Sequence, residues 1–119
     1  MKLPDGWHSL TPRIVTEDVV GLVAFLRETF GATGELHAER PAVMRIGDSN
    51  VMISSAGPRP AMPAFLYAYV SDADATYALA IGAGARSLEK PVDTPYGDRR
   101  AMIEDRWGNV WQIATFRGR

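Results

Sequence analysis

Cysteine is absent from the 119 residues, which excludes a disulfide framework, a thiolate nucleophile and a zinc ribbon. Histidine is nearly absent: only His8 and His37 occur, so any imidazole chemistry must pass through one of them. No apolar run is long enough to span a bilayer, and the opening Met1-Lys2-Leu3-Pro4-Asp5-Gly6 lacks the apolar stretch of a secretion signal. Nor is there an Asn-x-Ser/Thr sequon, so a cytoplasmic protein is expected. A large excess of charge of either sign is missing too. Thirteen basic and 14 acidic residues leave a net charge of −1, which gives neither nucleic acid nor an anionic membrane a reason to bind. What remains is an ordinary composition, 46% hydrophobic, expected to build one compact domain over residues 1–119.

Within that domain the chain repeats a pattern. Residues 11–54 read as apolar strand, Asp18-capped helix ending in Phe30-Gly31-Ala32, then short strands closing on Asn50-Val51-Met52-Ile53-Ser54. Residues 65–115 replay the order with Phe65–Val70, a helix led by Asp72 and ending at Ala83-Gly84-Ala85, and a close on Asn109-Val110-Trp111-Gln112-Ile113. A period of about 50 residues implies two copies of one supersecondary unit, neither able to bury its apolar face alone. Module 1 is placed at about 8–55, a Pro- and Gly-rich linker at 56–63 and module 2 at about 64–116.

Finer spacing assigns the elements. His8–Val15 reads as the first strand, and Val19, Leu22, Phe25, Leu26, Thr29 and Phe30 form one apolar helix face. Strands are expected at Gly34–Glu39, Ala42–Ile46 and Asn50–Ser54. In the second helix Tyr77, Ala80, Ile81 and Gly84 are expected to face the sheet, and strands follow near Arg86–Glu89, Arg99–Glu104 and Asn109–Phe116, with a loop from Pro91 to Gly97. Asp98 and Asp105 are read as turn formers and Trp111 as a core residue. Gly47-Asp48-Ser49 sits in a hairpin turn, so it is no esterase nucleophile, and Gly82-Ala83-Gly84-Ala85 follows a helix, so it is no dinucleotide loop.

The order βαβββ twice, with Phe30-Gly31-Ala32 closing the first helix and Asp105-Arg106-Trp107-Gly108-Asn109 before the last strand, resembles the vicinal oxygen chelate superfamily. Its members include glyoxalases, dioxygenases and bleomycin-resistance proteins. Tyr96-Gly97-Asp98-Arg99, followed by Glu104 through Thr115, is most similar to the PhnB-like branch. The resemblance implies an α+β fold in which two βαβββ modules form a curved eight-stranded mixed sheet, a cup, with helices on the convex face. It also implies a homodimer. Aligning the helix caps (72 − 18 = 54) pairs Thr11 with Phe65, and aligning the closing strands (109 − 50 = 59) pairs Ile53 with Gln112. The resemblance puts the superfamily's metal ligands at about these four positions, and none suits a divalent cation, which needs carboxylate or imidazole donors. No metal and no cofactor are therefore expected.

Strand alternation supplies the alternative lining. If Phe65 faces the cup, so do Tyr67 and Tyr69, while Leu66, Ala68 and Val70 pack on the helices. Gln112 with Val110 and Ala114, Arg13 following Thr11, and Arg100, Met102 and Glu104 are assigned to the same side. Aromatic walls (Phe65, Tyr67, Tyr69) beside Met102, with Thr11, Arg13, Arg100 and Gln112 as polar handles, describe a site for a small aromatic or polar molecule. The competing expectation is a lyase, isomerase or dioxygenase with Glu104 as general base and Arg100 as oxyanion stabiliser.

Overall fold

A computed structural model describes residues 1–118, which divide into two compact units, residues 1–62 and 63–118. Unit 1 runs β1 (Arg13–Thr16), α1 (Val19–Phe30), β2 (Ala42–Ile46) and β3 (Ser49–Ser55). Its three strands lie in the order β1-β3-β2, with β1 parallel and β2 antiparallel to the central β3.

Helix α1 begins where Asp18 accepts a hydrogen bond from the Gly21 amide at 2.9 Å. It ends at Gly31, whose φ of 64° lets the Gly31 and Ala32 amides reach the Arg27 and Leu26 carbonyls. Its buried face is Leu22, Val23, Phe25, Leu26 and Thr29, so Val23 joins the face read from the sequence, while Val19 and Phe30 are only half-buried. Ile14, Met44 and Ile53 supply the sheet side of this core, each with no exposed surface. Burial of each such side chain stabilises the fold by roughly 1.5–3 kcal/mol.

Two expectations fail in unit 1. The first strand starts at Arg13 rather than His8, because Pro12 has no amide hydrogen to carry the ladder further back. Only the Pro12 carbonyl takes part, accepting from the Met52 amide at 3.0 Å. The strand expected at Gly34–Glu39 does not form either. It shrinks to one bridge, Thr33 with Arg45, after which Gly34 takes φ 143°. Gly34 lies so close to the Val43 carbonyl that no Cβ fits, and the polar residues beyond it bury nothing that would hold them to the sheet edge.

Unit 2 keeps the full set: β4 (Phe65–Tyr69), α2 (Ala73–Gly82), β5 (Arg86–Asp93), β6 (Asp98–Glu104) and β7 (Val110–Phe116). The sheet order is β4-β7-β6-β5, with β4 parallel to β7 and the other pairs antiparallel. The described residues thus form seven strands in sheets of three and four, rather than one eight-stranded sheet. Strand β5 extends through Pro91 to Asp93, where a loop was expected; register shifts on either side of Glu89 and a position at the sheet edge accommodate the proline.

Helix α2 is capped by Asp72, which accepts from the Ala75 amide at 3.1 Å, and lies on β5, β6 and β7. Only Ala73 and Ala80 are buried in it, and Ile81 points outward with 38% of its surface exposed, against the sequence expectation. Opposite the helix, the sheet presents buried Ala101, Ile103, Trp111 and Ile113. No helix among the described residues is long and apolar enough to cross a membrane.

Candidate functional site

The ladder of unit 2 decides which side chains share its second face. Phe65, Val110 and Glu104 stand in one row, Tyr67, Gln112 and Met102 in the next, and Tyr69, Ala114 and Arg100 in the third. Strand alternation therefore sets all seven predicted site residues of this unit, Glu104 included, opposite the face packed on α2. Three aromatic side chains line its β4 edge with substantial exposure: Phe65 at 68%, Tyr67 at 39% and Tyr69 at 54%. The alternate residues Leu66 and Ala68 are half-buried.

Asp98 organises this face, and the sequence reading as a turn former was wrong. It opens β6 with 2% of its surface exposed, and the hydroxyls of Tyr67 and Tyr69 both donate to its Oδ2, at 2.7 and 2.9 Å. The two rings lie 5.4 Å apart and tilted by 59°. Burial, then the bonds to Asp98 and Tyr96, push the Tyr67 phenol well above the usual tyrosine range, so it stays protonated. The signal was present in the sequence: Asp98 shares the parity of Arg100, Met102 and Glu104 and so had to share their face.

The adjacent arginines diverge. Arg100 lies on the open face, gripped by both Glu89 oxygens at 3.0 and 3.2 Å, and donates to the Tyr96 hydroxyl at 2.8 Å. The Glu89 bonds raise its guanidinium further above the ordinary value. Arg99 takes the helix side and pairs with Asp74 in the first turn of α2. Neither pairs with Asp98 or Glu104. Glu104 is instead engaged by Arg86. The general base and oxyanion stabiliser named from sequence are therefore both held in ion pairs with other groups.

The turn Asp105–Asn109 holds β6, β7 and β4 in register. Asp105 accepts from the Trp107 and Asn109 amides and from the Trp111 indole, each at 3.0 Å, while Asn109 accepts from the Ala64 amide at 2.9 Å. Its role as a turn former and the burial of Trp111 agree with the sequence reading.

Thr11 and Arg13 belong to unit 1. Thr11 lies in the coil before β1. Arg13 donates through Nε to the Ser54 hydroxyl at 2.7 Å and lines a cleft of about 640 Å³ with His37, Glu39 and Arg40. The ladder corrects the alignment of the closing strands. Arg13 is opposite Met52 just as Tyr67 is opposite Gln112, so the offset is 112 − 52 = 60 and not 59. Ile53 faces the core, and Met52 takes the open position. A thioether there is no better for a hard cation than isoleucine. Neither Thr11 and Met52 in unit 1 nor Phe65 and Gln112 in unit 2 offer donors that suit a catalytic divalent metal, and no group of three or more His, Asp or Glu among the described residues is placed to hold one.

Comparison with known proteins agrees with the fold. The family model described as the Glyoxalase/Bleomycin resistance protein/Dioxygenase superfamily matches residues 8–113. CFP32 of Mycobacterium tuberculosis, which carries "glyoxylase" in its name, is 34% identical over 73 residues, covering 60% of this chain. The match spans only 28% of the length of that relative. Among solved structures, TioX from Micromonospora sp. ML1 has a TM-score of 0.77 at 21% identity, covering 92% of this chain and 98% of its own. A glyoxalase/bleomycin resistance protein/dioxygenase family enzyme from Burkholderia phytofirmans PsJN has a TM-score of 0.74 at 21% identity, covering 89% and 96%. At such identities the likeness is one of fold.

Proposed function

The chain belongs to the Glyoxalase/Bleomycin resistance protein/Dioxygenase superfamily, and from that premise we propose that it binds a small, flat, partly polar molecule without a metal ion. The observation that carries this reading is the exposed aromatic edge of Phe65, Tyr67 and Tyr69 on the open face of the four-stranded sheet. Aromatic faces gain from stacking on planar groups, and a face this apolar has little reason to stay uncovered in water. Met102 extends the apolar floor, while Gln112 offers both a donor and an acceptor in the same row, between Met102 and Tyr67. Arg13 and Thr11 are proposed as ligand contacts within unit 1. So are a place in the PhnB-like branch, a cytoplasmic location and a homodimer proposed, the last measurable by light scattering.

A thermal-shift screen of flat aromatic compounds tests the reading. Binding to the native state stabilises it by about 2.7 kcal/mol at a hundredfold excess over Kd, enough for a clear rise in Tm. The rise should vanish in Tyr69→Ala, whose side chain is half exposed and carries little of the core. A screen without any hit, or hits indifferent to Tyr69→Ala, counts against the proposal. Stoichiometric Fe, Zn, Ni or Mn in protein purified without chelators would overturn its metal-free part.

A further inference from the structure

The charges on the open face of unit 2 do not cancel. Arg86 engages Glu104 and Arg100 engages Glu89, which leaves Asp98. No Lys, Arg or His among the described residues pairs with Asp98, whose Oδ2 receives two tyrosyl hydroxyls while Oδ1 is buried without a hydrogen-bond partner. A buried carboxylate with half of its acceptor capacity unmet is costly, and neutral hydroxyls offset only part of that cost. The tyrosines also have a direction. Because both hydroxyl hydrogens are turned toward Asp98, Tyr67 and Tyr69 do not offer those protons to an anion, and their partly exposed rings attract positive charge. Arg100 does not reverse this sign, since Glu89 holds it on two prongs and Tyr96 takes a third bond.

We propose that this face selects an organic cation, a planar amidinium or guanidinium group stacked on Tyr67 and Tyr69, with Asp98 as its counter-charge. The inference rests on the ligand-binding reading above and narrows it to one charge class. Asp98 acts as a specificity-determining residue, setting the sign of charge accepted, while the rings provide the contact area.

Three isosteric probes separate the two claims. Benzamidine, benzamide and benzoate share one flat ring and differ in charge, so calorimetric titration of the full chain near neutral pH reads charge preference at constant shape. Benzamidine should bind at least tenfold more tightly than benzamide, with benzoate weakest. Asp98→Asn should bring benzamidine and benzamide within about twofold of each other. Should that variant unfold, ring-proton shifts of Tyr67 and Tyr69 in the unaltered protein on adding benzamidine locate the site. Equal affinity for benzamide and benzamidine overturns the cation inference and leaves the flat-ligand reading standing. Tyrosine resonances that respond to none of the three probes overturn both.

Discussion

Replacing Asp105 with alanine should be among the most damaging single changes in unit 2. The side chain is 4% exposed and accepts from the Trp107 and Asn109 amides, the Asn109 side-chain amide and the Trp111 indole. Asn109 and Trp111 are each 1% exposed, so water cannot readily replace the lost acceptor at those two groups. Each buried donor left without a partner costs about 1–3 kcal/mol. Two such donors, with some loss at the backbone amides, give roughly 3–5 kcal/mol, a large share of the 5–15 kcal/mol typical of a domain. The corresponding fall in Tm is about 10–20 °C for a chain of this length. Urea unfolding followed by tryptophan emission measures the loss directly. Asp105→Asn keeps one carbonyl oxygen and should lose about half as much. In a double-mutant cycle with Trp111→Phe, which removes only the indole donor, the coupling should be about 1–2 kcal/mol. A loss below about 1 kcal/mol, or no coupling, would refute the claim that this carboxylate anchors the turn.

Two further substitutions probe the face and the edge. The Tyr67 phenol is raised in the folded protein, so stability should be level below about pH 10 and fall above it, as the unfolded chain sheds a proton that the native state retains. One proton sets a limit of about 1.4 kcal/mol per pH unit; because the residue is 39% exposed, solvent screening should reduce this to about half. Tyr67→Phe should lower the neutral plateau and flatten the alkaline fall relative to the unaltered protein, and an unchanged alkaline slope would contradict the Asp98 contact. Gly34→Ala should cost about 2–4 kcal/mol, since it combines a strained φ with a collision at the Val43 carbonyl. Faster hydrogen exchange at the Arg45 amide, which donates to the Thr33 carbonyl at 2.7 Å, would accompany it; a neutral substitution would show that the close approach relaxes freely.

These predictions share a physical theme. The open face of unit 2 is specified from beneath and from the side: Trp111 and Ile113 fill the layer toward α2, and the Asp105 turn pins the register that sets Tyr67 beside Gln112. A shift of one residue in β7 would put Trp111 or Ile113 in place of Gln112 on the open side beside Tyr67, because side chains alternate faces along a strand. Stability of the turn and chemistry of the face are thus linked through register.

Local signals were enough to read both helices, their Asp18 and Asp72 caps, the left-handed Gly31, the Asp105 turn and the inward or outward parity of β4, β6 and β7, because caps, turns and alternation depend on neighbours within a few residues. Other features depended on partners distant in sequence. The failed strand after Thr33 reflects the approach of Gly34 to Val43, and the one-residue error at Ile53 reflects the pairing of β1 with β3. Asp98 shows the divide most clearly: its face followed from parity, but its burial and its two tyrosine donors, 31 and 29 residues away, exist only once β4, β7 and β6 lie side by side. Periodicity can say which side of a strand a carboxylate occupies, whereas only the assembled sheet decides which groups surround it and whether its charge is answered.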